Sequence, residues 1–128
     1  MGVRPGRPYL RLMRPGARTP EELETLFEDA FIVRDARALI LLFEEGAVLV
    51  AGGGLHEARG GKEIARAATA MWGRDRTYVA DWRRVLQVRD TALVVGWGIN
   101  VLRRGRDGDW RYAISLMDLD ELRAREER

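Results

Sequence analysis

The sequence predicts an α+β domain, with helices gathered on one face of a curved, mainly antiparallel sheet. Three observations carry this. Apolar residues recur every three or four positions in "TPEELETLFEDAF" (19–31) and again after "GGKE" (60–63), the spacing of amphipathic helices. From Thr77 to about Leu119 the chain reads instead as extended segments joined by turn signals. Only one short β-rich run, "AVLVA" (47–51), lies between the helical regions, so the strands cluster toward the C-terminal half.

Each element has a local cause. Thr19 is placed to cap the first helix, Pro20 takes its first position, and Glu22 completes a capping box. Leu23, Leu26, Phe27, Ala30 and Phe31 are its apolar stripe. Asp35 caps a second helix carrying Leu39, Ile40 and Phe43, which Glu44-Glu45-Gly46 ends. Residues 47–51 form a strand with a β-rich centre. Ile64, Ala67, Ala68, Met71 and Trp72 then repeat at helical spacing, and Gly73 stops this third helix. Residues 78–88, 91–104 and about 110–117 are expected as three strands of a meander, turning at Arg89-Asp90 and Asp107-Gly108. The closing "DELRAREER" is a charged tail, so the domains read as an extension at 1–18, the α+β unit at 19–119 and a tail at 120–128.

Composition removes several functions. The chain has 128 residues and 46% apolar content, enough for a real core. It has no cysteine, which excludes disulfides, thiolate catalysis and zinc fingers. One histidine and no carboxylate cluster give no basis for a metal site. The apolar runs 38–43 and 47–51 are too short to span a bilayer. Of 22 basic residues five lie in residues 1–18, where there is no acid; the remaining 17 face 20 acids. The basicity belongs to the extension, and no nucleic-acid partner is expected. The prolines and glycines of that extension rule out a continuous helix, hence an amphipathic transit peptide, and no secretory segment is visible. A cytoplasmic location is the expectation.

"VAGGGLHEARGGKEI" (50–64) raises the question of a phosphate loop. A Walker loop would need glycine where His56 stands and a hydroxyl where Glu63 stands. A dinucleotide fingerprint from Gly52 meets Glu57 in place of its third glycine. Both fail on residue type. A loop carrying His56 between strand and helix is expected, and His56 is the one side chain whose ordinary pKa lies near neutrality.

Taken in order, "TPEELETLFEDAF", "RDARALILLFEEGAVLV", "GGKEIARA" and "VLRRGRDGDWRYAI" resemble the nuclear transport factor 2-like superfamily, which includes ketosteroid isomerase and the SnoaL-like polyketide cyclases. The resemblance runs from Thr19 to about Leu119. It implies a cone in which a curved sheet wraps a long first helix and opens on an apolar pocket, with no cofactor and commonly a dimer. Ketosteroid isomerases place a tyrosine in the first helix, an aspartate base at the end of the first strand and an aspartic acid in a late strand. Here those positions fall at Phe27, Ala51 and Asn100. Many SnoaL-like sequences carry an acid where this chain has Ser115, and many insert a further hairpin within 91–104.

Strand alternation sorts the faces. If Asn100 faces the pocket, Val94, Gly96, Gly98 and Leu102 do too, with Ala113, Ser115 and Met117 on the last strand. Phe27, Phe31, Ala51, Trp72, Gly98, Ala113 and Met117 are then the ligand-binding positions. The outer face would present Trp97, Ile99, Trp110, Tyr112 and Ile114, an apolar patch suited to a homodimer. The reverse parity would put the aromatics in the pocket and turn Asn100 outward.

Two functions follow. One is an isomerase, cyclase-like lyase or hydratase acting on a hydrophobic carbonyl compound without the usual carboxylate base. Asn100 would be the oxyanion donor, Ser115 a second donor and His56 the proton shuttle. The other is a non-catalytic ligand-binding or dimerisation domain. A carboxylate pointing into the cone favours the enzyme; an interior closed by Phe27, Phe31, Met71 and Trp72 favours the scaffold.

Overall fold

The computed structural model describes residues 16–51, 56–73, 84–96 and 98–117. Within them the elements run α1 (Pro20–Ile32), α2 (Ala36–Ile40), β1 (Phe43–Ala51), β2 (His56–Arg59), α3 (Gly60–Gly73), β3 (Arg84–Val88), β4 (Thr91–Val95), β5 (Ile99–Arg104) and β6 (Trp110–Leu116). The strands form one open sheet in the order β2-β1-β6-β5-β4-β3. Its neighbours are antiparallel except for the parallel pair β1–β6. One core joins the inward stripes of α1 and α3 to one face of this sheet. This is the expected α+β architecture. None of the described helices is long and apolar enough to cross a membrane.

The helix starts follow the local chemistry. Thr19 accepts from the Glu22 amide at 3.0 Å, and Asp35 accepts from the Ala38 amide at 3.1 Å, each satisfying a donor that a helix start leaves open. Glu22 reaches back one residue further than a capping box requires, to the amide of Arg18. The backbone of Trp110 donates to Ala17 at 2.8 Å, and Arg18 pairs with Asp109 at 3.0 Å. Ala17 is fully buried. Residues 17 and 18 thus belong to the folded unit rather than to an extension.

Three strand expectations change. Phe43 opens β1 instead of extending the second helix, which stops at Ile40. The amide of Tyr112 donates to the Leu42 carbonyl, so pairing with β6 overrides helical spacing. Residues 91–104 form a hairpin rather than one long strand. Val95 pairs with Ile99, and the Gly96 amide donates to the Gly98 carbonyl at 3.0 Å. A Cβ on Gly98 would lie 2.2 Å from the Leu116 carbonyl oxygen, so glycine is required there by backbone approach and leaves no added room for a ligand. His56 opens β2, which pairs antiparallel with β1 through Ala51, where a loop was expected. Of the 78–88 strand, Arg84–Val88 is present; the rest, like Trp97 and the tail from residue 120, lies outside the described residues. The turn positions hold: Arg89 and Gly108 both adopt positive φ, 55° and 86°.

The last correction concerns facing. Val101 pairs with Ile114 but Leu102 pairs with Tyr112, so Ala113 is an extra residue in β6, a β-bulge. A bulge shifts alternation by one. Ser115 and Met117 face the core as expected, but so do Trp110 and Tyr112, both buried. They leave the proposed outer patch, while Ile99 and Ile114 remain on it, 45% and 44% exposed.

Candidate functional site

Glu24 lies on the inner face of α1, one residue after Leu23 and a turn before Phe27. It is 2% exposed. The Tyr112 hydroxyl of β6 donates to its Oε2 at 2.5 Å. The Asn100 amide of β5 points Nδ2 at the same oxygen, 3.4 Å away. The Ser115 hydroxyl donates to Asn100 Oδ1 at 2.6 Å. Four side chains from one helix and two strands thus form a chain of polar contacts inside the core.

The sheet explains why they meet. Asn100 stands directly across from Ser115 on β6 and Val94 on β4, and Ser115 from Leu49 on β1. The two polar residues occupy the middle of an otherwise apolar row. Tyr112 is three positions before Ser115, a spacing that strict alternation would send to the opposite face. The bulge at Ala113 returns it inward. Its ring then packs on Phe27 and Phe43, at 5.5 and 5.1 Å between centroids, and carries its hydroxyl to Glu24.

A carboxylate buried in a core is costly unless hydrogen bonds hold it, and here Tyr112 and Asn100 contribute two. The arrangement has a chemical meaning as well. Two donors from different strands converge on one oxygen, which is how an oxyanion site presents itself to a carbonyl. Ser115 fixes which way the amide faces: by donating to Oδ1 it leaves Nδ2 as the end that addresses Oε2. Its proton is spent on Asn100, so Ser115 positions the amide rather than offering a second donor.

The other expected positions divide. Phe27, Phe31 and Trp72 are buried and in ring contact: Phe27 to Phe31 at 5.9 Å and Phe31 to Trp72 at 5.5 Å. Met117 and Ala113 are buried at the end of β6 and at the bulge, and Ala51 is half-buried at the end of β1. His56 is exposed on the edge strand β2, three strand positions from β5, a separation of about 14 Å. The described structure does not bring it to Asn100. No group of metal-binding side chains is present among the described residues. At the helix start after the glycines, Glu63 bonds the Arg59 amide at 2.8 Å, so a carboxylate already stands where an anion would bind.

Sequence reasoning missed Glu24 and Tyr112. Glu24 was legible as a charge on the apolar stripe, three residues before Phe27 and seven before Phe31. Tyr112 was not, because nothing in its neighbourhood announces the bulge. The ring packed against Phe27 is that of Tyr112, and it carries a phenol hydroxyl.

No protein-family model matches the chain, and neither does any curated protein. Solved structures do. A ketosteroid isomerase-like protein from Erwinia carotovora atroseptica matches with a TM-score of 0.65 and 21% identity, over 77% of this chain and 91% of that one. A candidate calcium/calmodulin-dependent protein kinase type II association domain from Thiobacillus denitrificans matches at 0.69 and 18%, over 82% and 98%. A SnoaL-like protein of unknown function from Burkholderia thailandensis matches at 0.55 and 14%, over 75% and 89%. At these identities the likeness speaks for architecture alone: the chain shares the fold of the ketosteroid isomerase-like and SnoaL-like structures.

Proposed function

We propose that this protein takes a hydrophobic carbonyl compound into the cone and moves a proton next to its carbonyl, as an isomerase or cyclase-like lyase does. The observation that carries the reading is the convergence of Asn100 Nδ2 and the Tyr112 hydroxyl on one oxygen of Glu24. In the working complex the carbonyl oxygen takes that place. Glu24 leaves its two donors, and a carboxylate that loses donors binds a proton more firmly. It then removes the proton from the carbon beside the carbonyl. The C–H electron pair becomes a C=C bond, and the carbonyl pair moves onto oxygen as an enolate held by Asn100 and Tyr112. Return of the same proton to a different carbon completes an isomerisation. These steps use protein groups only.

A thermal-shift screen with flat hydrophobic ketones, run beside Asn100→Leu, tests the binding part. A ligand at a hundred times its dissociation constant adds about 2.7 kcal/mol of apparent stability. The expected result is stabilisation by ketones that Asn100→Leu removes; equal stabilisation of both proteins would contradict the role of Asn100.

A second reading, a non-catalytic domain of the same fold, is favoured by the ring contacts among Phe27, Phe31 and Trp72, which take up interior that a ligand would need. Under either reading the outer face suits a homodimer. Leu86, Leu93, Val101, Ile114 and Val48 follow one another across five strands. Ile99, Ile114 and Leu116 stand more than two-fifths exposed. A second copy turned about a twofold axis covers this row with the same row.

A further inference from the structure

Trp72 closes the inward stripe of α3, eight residues after Ile64 and four after Ala68, and is 8% exposed. Its indole Nε1 is buried and has no hydrogen-bond partner among the described residues. Buried donors are nearly always satisfied, and a tryptophan that needs only to fill space has no use for an orphaned N–H. Ile64 and Ala68 share its helix face and Phe31 meets its ring, all three apolar. Among the described residues nothing offers that N–H an acceptor. Something that brings its own acceptor is the better match.

The position of Trp72 says which part of a ligand that would be. The rings of Trp72, Phe31, Phe27 and Tyr112 follow one another at 5.5, 5.9 and 5.5 Å. Trp72 stands at one end of this run; Tyr112, with Glu24 and Asn100, stands at the other. We propose that the indole N–H of Trp72 is a second hydrogen-bond anchor for the ligand, which therefore is an extended, flat, apolar molecule with an acceptor oxygen at each end. This rests on the pocket reading above and deepens it: one oxygen is the reacting carbonyl, and the remote one fixes the molecule's direction in the cone. Trp72 is then a specificity-determining residue, with no part in the proton transfer.

The test uses three probes of one shape: 2,6-diacetylnaphthalene with two acceptors, 2-acetyl-6-ethylnaphthalene with one, and 2,6-diethylnaphthalene with none. Affinities are measured for the full chain, for Trp72→Phe, and for a version carrying benzothienylalanine at position 72. The last keeps the shape of the indole and lacks its N–H, so packing and hydrogen bonding are separated. The diketone is expected to bind the native chain about tenfold more tightly than the monoketone, the worth of one hydrogen bond. Both altered proteins should lose that preference, and the Trp72 indole proton of the native chain should move downfield in NMR only with the diketone. Equal binding of diketone and monoketone by the native chain overturns this proposal and leaves the pocket reading intact. A preference that survives benzothienylalanine overturns it as well. Failure of all three probes to bind overturns the pocket reading and this proposal together.

Discussion

At the scale of single residues, the account rests on Glu24 and on the two donors that meet at its Oε2. Tyr112→Phe keeps the ring that packs on Phe27 and Phe43 and removes only the hydroxyl. Loss of a hydrogen bond to a buried carboxylate costs about 2 kcal/mol, so urea unfolding should show the variant less stable by about that amount with an unchanged m-value. A variant as stable as the native chain would mean that the contact contributes nothing. Much of the site was readable at this scale and some was not. Asn100 and Ser115 follow from alternation along their strands, and they do face each other across β5 and β6. Glu24 was visible as a charge in an apolar stripe, yet its sense depends on what the sheet places opposite. Tyr112, brought inward by the bulge, supplies that together with Asn100.

At the scale of elements, turns and caps are written locally and pairing is not. Thr19 and Asp35 act through side-chain oxygens on amides three residues on, Arg89-Asp90 and Asp107-Gly108 through their own backbone, and each appears where the sequence puts it. The division of 91–104 into β4 and β5, the early end of α2 and the extra residue at Ala113 depend on contacts between distant segments. No window of sequence contains them. The β5–β6 hairpin also carries the clearest electrostatic signature. The hydrogen bond from Arg111, helped by the amide of Asp109, lowers the Asp107 carboxyl from 3.8 to about 2. A lowered carboxylate pKa means stability that is complete above about pH 4 and is lost as pH falls through about 2. Asp107→Asn should therefore melt below the native chain at neutral pH, and the gap should close across that window. A gap that stays constant down to pH values below about 2 would show that the ion pair is not its source.

At the scale of the whole molecule, one sheet serves two surfaces. Its inner face carries the polar site and the aromatic run; its outer face carries the apolar row that includes Ile114. Ile114→Glu puts a charge in the middle of that row without touching the core. Under the proposed assembly, light scattering should report a dimer for the native chain and a folded monomer for this variant. A native chain that is monomeric at concentrations used for assay would remove the dimer from the account. The architecture was legible in the order and spacing of four segments, because element order survives substitutions that erase specific motifs. Function is less legible for the same reason. The fold tolerates many interiors, and Phe27 and Ala51 occupy positions where the resemblance leads one to expect a tyrosine and an aspartate.

The central claim is that Glu24 works as a base beside an oxygen held by Asn100 and Tyr112. The most direct measurement is proton exchange at the methyl group of 2-acetylnaphthalene in deuterated buffer, followed by NMR. This needs no knowledge of the natural substrate, because enolisation is the step the proposed mechanism requires. The account predicts deuterium uptake well above the buffer rate with the native chain, and a rate lower by about a hundredfold or more with Glu24→Gln, the usual worth of a general base. Exchange at the buffer rate with a probe shown to bind, or exchange that Glu24→Gln leaves untouched, would contradict it.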